Sequence, residues 1–384
     1  MILSTFLSGA SACMIQTLQA QTGPTLAARM YAGITVTGTV SATYTIEATT
    51  NLGLTNGWVA LTNVVLPASP WIYIDYASPG TPRRFYRATA MPTNAPPDPN
   101  SLPGLALIPA GNFTMGNTFS GEGDGDERPT HTVYVSAFYM DKYEVSKTLW
   151  DEVYQWAINH GYAFDSTGFG KAANHPVQTV NWYDCVKWCN ARSEKEGRTP
   201  AYYTSAAQTT VYRTGQADLQ NDSAKWNTGY RLPTEAEWEK AARGGASGHR
   251  FPWADTDYIT HSRANYYSQA VYAYDTSPTR GYHPTFNDGV FPYTSPVGYF
   301  AGNANGYGLS DMAGNVWEWC WDWYGGYSSG PQSDPRGPTS GSYRLARGGS
   351  WTAGADCWSA ARETVDPANR STIRGFRSIL PPGQ

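Results

Sequence analysis

The chain of 384 residues is short of charge: Lys, Arg, Asp and Glu make up 15% of it, where about 25% is usual for a domain. The charges nearly cancel, 27 basic against 31 acidic for a net of -4, and nowhere do Lys and Arg cluster. General nucleic-acid binding, which needs a basic stripe to displace counterions, is therefore excluded. No internal run approaches the ~20 apolar residues of a membrane-spanning helix. Cysteine is scarce at five residues, too few in so long a chain for a disulfide scaffold. Helical bundles and coiled coils, built from Ala, Leu, Glu, Lys and Arg, do not fit this composition either.

In their place stand 15 Trp, 27 Tyr and 12 Phe with 39 Gly and 26 Pro. So many aromatic residues exclude a disordered chain. The length calls for two or three domains, and the composition suits irregular, loop-rich structure with some strand.

The first residues, Ile2 to Ile15, are apolar and small, and Leu18-Gln19-Ala20-Gln21-Thr22 follows. This reads as a secretory signal over residues 1–22, cut near Ala20, although a basic start is missing. An acylated Cys13 and a buried N-terminal helix are the alternatives. The expectation is export, to a secreted or cell-surface location. Cys185, Cys189, Cys320 and Cys357 then remain. Cys185 and Cys189 stand four apart on an expected helix, a spacing at which a mutual disulfide is uncommon, so each is expected buried or bridged elsewhere.

Residues 25–91 alternate apolar and polar over short runs, such as Gly33 to Val40, Ala42 to Ala48 and Trp71 to Tyr76, separated by turn signals such as Asn56-Gly57 and Pro79-Gly80. Five or six strands at this spacing predict a small all-β sandwich. It holds no paired His, Cys or carboxylates, and reads as an accessory module. A Pro-rich linker follows at 92–101. The second domain, 102–384, is expected to be α+β with low secondary-structure content. Ser146 caps a helix that Gly161 ends. Asn181 caps another, with Trp182, Cys185, Val186 and Cys189 as one buried stripe. Thr234 and Glu237 form a capping box for a third. The acidic loop Glu122 to Glu127 reads as a solvated charge run rather than a metal site.

Several segments of this domain occur together and in order: Asp126-Glu127-Arg128-Pro129-Thr130-His131; Phe138 to Val145; Pro176-Val177 with Val180-Asn181-Trp182; Arg231 to Glu239; Gly308 to Trp319; Arg347-Gly348-Gly349-Ser350-Trp351; and Gly375-Phe376-Arg377. Their set resembles the sulfatase-modifying-factor family, which includes the formylglycine-generating enzyme. The resemblance covers nearly all of the second domain and none of the first. It implies a C-type-lectin-like α+β fold with structural calcium. Its second calcium loop matches Asn315 and Glu318 as side-chain donors with the carbonyls of Gly314 and Val316. Its first site resembles Asn265-Tyr266 with Asp288 and the carbonyl of Val290. These are oxygen donors of the kind a hard cation takes.

Catalytic relatives hold copper(I) through two thiolates, which suit a soft monovalent ion. The family pattern after Gly-Gly-Ser-aromatic is x-Cys-His, with a second Cys five residues after the first. Here Ala353 stands at the first Cys position, Gly354 at the His position and Trp358 at the second, while Cys357 is one residue out of register. The copper site is not matched, which leaves Cys357 and Ser350 as the only candidate catalytic residues. A further branch, the iron-dependent sulfoxide synthases, uses three histidines and a helical bundle. His131, His160, His175, His249, His261 and His283 are dispersed without a His-x-His or His-x-x-x-His pair, and His131 and His175 read as structural.

Two aromatic regions remain. Trp317, Trp319, Trp321, Trp323 and Tyr324 alternate with Glu318, Cys320 and Asp322, which reads as a strand with one face in the core; stacking of a carbohydrate or peptide is the alternative. The segment 351–374 mixes polar and aromatic residues on short loops, with Trp351, Asp356, Trp358 and Arg362 as candidates for ligand recognition. Arg362 and Arg377 read equally as core ion-pair residues. The same fold and segment resemble the variable binding proteins of diversity-generating retroelements. Two functions follow: an exported, non-catalytic protein that binds a protein or carbohydrate ligand or self-associates, or a formylglycine-type oxidase that pairs Cys357 with Cys320 or Cys185.

Overall fold

A computed structural model describes residues 32–36, 43–50, 58–65, 71–75, 84–90, 102, 104–354 and 356–383. The expected signal (1–22) and linker (92–101) lie outside the described residues. The chain divides into two compact units, Met1–Asp98 and Pro99–Gln384.

The first unit has five strands: β1 (Ala32–Val36), β2 (Thr43–Thr49), β3 (Val59–Val65), β4 (Trp71–Asp75) and β5 (Phe85–Ala90). β1 pairs antiparallel with β4, and β2 lies between β3 and β5. Alternating side chains from the two sheets meet in one small cluster, Val36 and Ile46 with Ile34, Tyr44, Leu61, Val64 and Tyr73 around them. That is a sandwich in miniature, each sheet covering the apolar face of the other.

The second unit opens with β6 (Leu105–Ile108), β7 (Gly111–Met115), β8 (His131–Val135) and β9 (Phe138–Asp141). Three helices follow, α1 (Lys147–Ile158), α2 (Trp182–Lys195) and α3 (Glu235–Ala242). The unit ends with β10 (Trp317–Trp323), β11 (Gln332–Ser333), β12 (Arg344–Arg347), β13 (Arg362–Val365), β14 (Arg374–Gly375) and β15 (Ile379–Leu380). The strands form three small sheets, ordered β13-β12-β10-β14, β11-β8-β7 and β15-β9-β6. Low regular content in an α+β arrangement is what the sequence implied.

The helix starts follow from their caps. Ser146 Oγ accepts the Leu149 N–H, Asn181 Oδ1 accepts the Asp184 N–H at 2.8 Å, and Thr234 and Glu237 close a reciprocal capping box. Helix α2 departs from the expected single stripe, since every residue from Trp182 to Ser193 is buried. Its polar side chains end on partners inside: Asn190 Nδ2 donates to the Tyr202 and Tyr212 carbonyls, and Arg192 pairs with Asp141 at 2.9 Å. A helix buried all round holds its polar groups only by such pairing.

Strand β10 departs in the same way. Its seven residues are all buried, so the one-face reading of the Trp run is corrected; the four Trp rings are covered, and of the cluster Tyr324, just past the strand, reaches the surface. Glu318 and Asp322 occupy the face that alternation assigns to solvent, and each is covered: Glu318 by Arg377, Asp322 by the Glu235 N–H at 2.8 Å. The Arg344 guanidinium lies between the Trp182 and Trp323 rings, 3.8 and 3.4 Å from their centroids, which offsets its desolvation.

Candidate functional site

The segment after β12 is shaped by two glycines. Gly348 and Gly349 have φ of +96° and +80°, values that glycine alone adopts without strain. A Cβ on Gly349 would lie 2.5 Å from Cys357 Sγ. The turn therefore brings Ser350 and Cys357 into one packed knot. Ser350 is fully buried, and its Oγ accepts the Thr352 N–H at 3.3 Å. Cys357 is buried and free, and its Sγ contacts the Gly354 carbonyl at 3.5 Å. Burial raises its thiol well above the usual range, and Asp356 adds to the shift. A thiol so placed is neither a ready nucleophile nor a ready metal ligand.

Cys185, Cys189 and Cys320 are also buried and free; burial raises each thiol, and none is disulfide-bonded. Among the described residues no three His, Cys, Asp or Glu side chains are grouped to hold a metal. His131 Nδ1 bonds the Pro129 carbonyl and His175 Nδ1 bonds Thr294 Oγ1, both structural contacts.

Of the residues expected to face a ligand, three point inward. Trp351 is 1% exposed and lies beneath Phe291, Tyr293 and Tyr282, with ring centroids 5.2, 5.4 and 5.7 Å away. Trp358 is 8% exposed and donates Nε1–H to Glu127 Oε1 at 2.8 Å. Arg362 grips Glu235 at 2.7 and 3.0 Å, the ion-pair reading that the sequence left open. Asp356 is half-buried, and burial raises its carboxyl. The rings that do reach the surface near Trp351 are Phe291, which is 60% exposed, and the half-buried Tyr282 and Tyr293. Sequence reasoning did not single these out, because they sit in a stretch without periodicity.

Beside this segment lies a buried polar knot. The loop 311–316 turns through left-handed residues, Asp311 at φ 60° and Asn315 at φ 62° around Gly314 at φ 82°. A Cβ on Gly314 would stand 2.3 Å from the Asn265 carbonyl oxygen, so only glycine fits. The Asn315 N–H donates to that oxygen at 2.7 Å, and the Asn315 carbonyl accepts the Trp351 N–H at 2.8 Å. Asn315 Nδ2 and the Val316 N–H reach Glu144 at 2.7 and 3.2 Å. Three buried oxygens here have no hydrogen-bond partner: Asn265 Oδ1, Ser295 Oγ and Asp311 Oδ1. Burial, then Asp311 and Glu318, push the Glu144 carboxyl well up, and burial raises Asp311 to about 6.

The expected metal ligands divide accordingly. Asn265, Gly314, Asn315 and Val316 belong to this knot. Glu318 does not serve it, because Arg377 takes both carboxylate oxygens at 2.7 and 2.6 Å and the Trp238 Nε1–H takes Oε2 at 2.7 Å. The Tyr266 carbonyl bonds His261 Nε2 at 3.2 Å. Asp288 is an exposed carboxylate paired with Lys171 at 2.7 Å, and Val290 is 60% exposed. Glu144, Ser295 and Asp311 are the members that sequence reasoning missed; Glu144 lies inside the Phe138–Val145 motif, but nothing local marks it as a partner of Asn315.

A family model for the sulfatase-modifying factor enzyme 1-like domain matches residues 91–381. The chain belongs to this family. It is 32% identical over 319 residues to a formylglycine-generating enzyme of Streptomyces coelicolor, covering 73% of this chain and 90% of that one. It is 35% identical over 235 residues to the chaperone protein LppX of Paenibacillus barcinonensis, covering 58% of this chain and 71% of that one. Among solved structures, Treponema denticola variable protein 1 superposes with a TM-score of 0.54 at 29% identity, covering 72% of this chain and 95% of that one. The family unit thus accounts for the second domain and its fold. No helix among the described residues is long and apolar enough to cross a membrane.

Proposed function

We propose that this chain is an exported, non-catalytic member of the family that binds a protein or carbohydrate ligand. The observation that carries this reading is the segment 348–358, where Ala353 stands at the first thiolate position and the one cysteine, Cys357, is packed under Gly349 and bonded to the Gly354 carbonyl. Without two accessible thiolates there is no soft pair for copper(I). The family relative named a chaperone and the one named a variable protein support a binding role. The exposed Phe291 with Tyr282 and Tyr293 offers the rigid aromatic surface that such binding uses. Identity to formylglycine-generating enzymes supports the second reading, a copper-dependent oxidase.

A structural calcium ion belongs to the same proposal. The unpartnered oxygens of Asn265, Ser295 and Asp311, with Glu144 and the carbonyls of the 311–316 loop, have the chemistry of a hard-cation cage. The cage would hold the loop whose Asn315 carbonyl fixes Trp351.

One experiment separates the two functions. The protein is loaded with copper(I) and incubated with a cysteine-containing sulfatase peptide, and the peptide is weighed by mass spectrometry. The binding reading expects unchanged peptide and no tightly held copper. Conversion of the cysteine to the aldehyde would overturn it.

A further inference from the structure

The aromatic surface over Trp351 continues beyond Phe291. Ring contacts run from Phe291 to Tyr293 at 6.1 Å, from Tyr293 to Tyr282 at 5.0 Å and from Tyr282 to Tyr267 at 4.8 Å. There the strip meets the 348–358 segment, because the Tyr267 N–H donates to the Ala353 carbonyl at 2.8 Å. Gly354 follows, where a Cβ would stand 2.5 Å from Gln269 Oε1 and 3.3 Å from the Tyr272 ring. The Tyr272 hydroxyl in turn faces Asp356, and the charge of Asp124 reaches both. Ala353 and Gly354, standing where catalytic relatives carry Cys and His, thus make a smooth floor between an aromatic end and an acidic end.

The two ends call for different chemistry. At the aromatic end the rings are exposed or half-buried, and the hydroxyls of Tyr267, Tyr282 and Tyr293 have no partner among the described residues. Each offers an apolar face beside a group that both donates and accepts. The charges nearby are already matched, Lys171 by Asp288 and Arg280 by Asp275. At the acidic end neither Asp356 nor Asp124 is ion-paired among the described residues, and Arg128, beside Asp124, is taken up by the carbonyls of Phe119, Glu122 and Asp124. That end complements a cation. A peptide that docks through its main chain needs free backbone groups, and the floor has few: the Ala353 N–H donates to the Ser350 carbonyl, the Ala353 carbonyl accepts from Tyr267, and the Gly354 carbonyl accepts the Cys357 thiol. Ring faces, phenol hydroxyls and carboxylates remain, which suit a pyranose that carries an ammonium group.

We propose that this strip binds an amino-sugar oligomer, with Asp356 and Asp124 on its ammonium groups and Tyr267, Tyr282, Tyr293 and Phe291 against its rings. The assignment rests on the binding reading above and gives it a ligand class.

The full chain is titrated calorimetrically with a glucosamine tetramer, and in parallel with its fully N-acetylated counterpart and with tetralysine, at about pH 6, where amines are charged and carboxylates ionised. The expected result is saturable binding of the glucosamine tetramer, with the acetylated one at least about tenfold weaker, the worth of one charge-assisted hydrogen bond. Asp356→Asn should weaken the glucosamine tetramer by about tenfold and leave the acetylated one unchanged; Asp124→Asn, at an exposed position, gives the same comparison if the first variant unfolds. Phe291→Ala, also exposed, should weaken both sugars by about fivefold, the worth of one ring contact, with the fold intact by circular dichroism. No saturable heat with the glucosamine tetramer, equal or tighter binding of the acetylated sugar or of tetralysine, or unchanged binding by the folded variants would overturn the assignment. Such a failure leaves the binding reading standing, because that reading falls to aldehyde formation with copper(I) and not to this titration.

Discussion

Replacing Glu318 by Gln tests the interior of the second unit most directly. The carboxylate accepts from Arg377 Nε and Nη2 and from Trp238 Nε1, all at 2.6–2.7 Å, and both Glu318 and Arg377 are buried. The amide keeps the shape but turns one oxygen into a donor facing a guanidinium, and it strands a positive charge where water cannot reach. Breaking a buried ion pair from one side costs about 3–5 kcal/mol. In a unit of this size each kcal/mol lowers Tm by roughly 2–4 °C, so the fall should be of the order of 6–20 °C by scanning calorimetry. The measurement is repeated in excess chelator and in excess calcium. Because Arg377, not a metal, is the partner, the deficit should be the same in both. A double variant, Glu318→Leu with Arg377→Met, should regain part of the loss, since both unmatched charges are gone. A deficit below about 1 kcal/mol, or one that disappears in chelator, would refute the assignment of Glu318 to Arg377.

Glu144→Gln should behave oppositely: if calcium occupies the proposed cage and raises the Tm of the parent protein, the variant should lose that rise while losing little in chelator, read by the same calorimetry. The Asp322 carboxyl is raised to about 8 by burial and then by Glu235. A group raised in the folded state favours folding fully below its unfolded pKa, about 4, and that contribution is lost as pH rises through 8. Chemical denaturation should therefore show stability declining between pH 4 and 8, and Asp322→Asn should flatten that slope. The thiols of Cys185, Cys189, Cys320 and Cys357 should resist a thiol reagent in the native protein and react on unfolding; a fast-reacting native thiol at Cys357 would reopen the metal question. Thr234→Ala should cost about 1 kcal/mol through loss of the capping box, measured by denaturant midpoint.

What the sequence made legible was local. Ser146, Asn181 and Thr234 announce their helices because each cap and its target lie three residues apart, and the ordered family motifs carried the fold of the second unit. The candidate site was legible only where a motif held it together, as with Asn315 and Gly314. Glu144 bonds Asn315 from 171 residues away, and no periodicity records such a meeting. The Trp317–Trp323 strand misled for a related reason. Glu318 and Asp322 look like a solvent face until Arg377 and the α3 N-terminus arrive to cover them. Trp351, Trp358 and Arg362 misled likewise, because a mixed polar and aromatic loop reads as surface unless its burial is known.

Strand β9 lies between β6, at the start of the second unit, and β15, at its end. The last residues also fix the middle: β14 runs parallel to β10, Arg377 closes on Glu318, and Ile379 exchanges hydrogen bonds with Arg231. Without residues 374–380 this unit would therefore hold two incomplete sheets and a naked carboxylate in its core. Contacts of such long sequence separation form late. This unit therefore cannot close until its last strands have left the ribosome, and until then its tryptophan-rich strand β10 needs shielding.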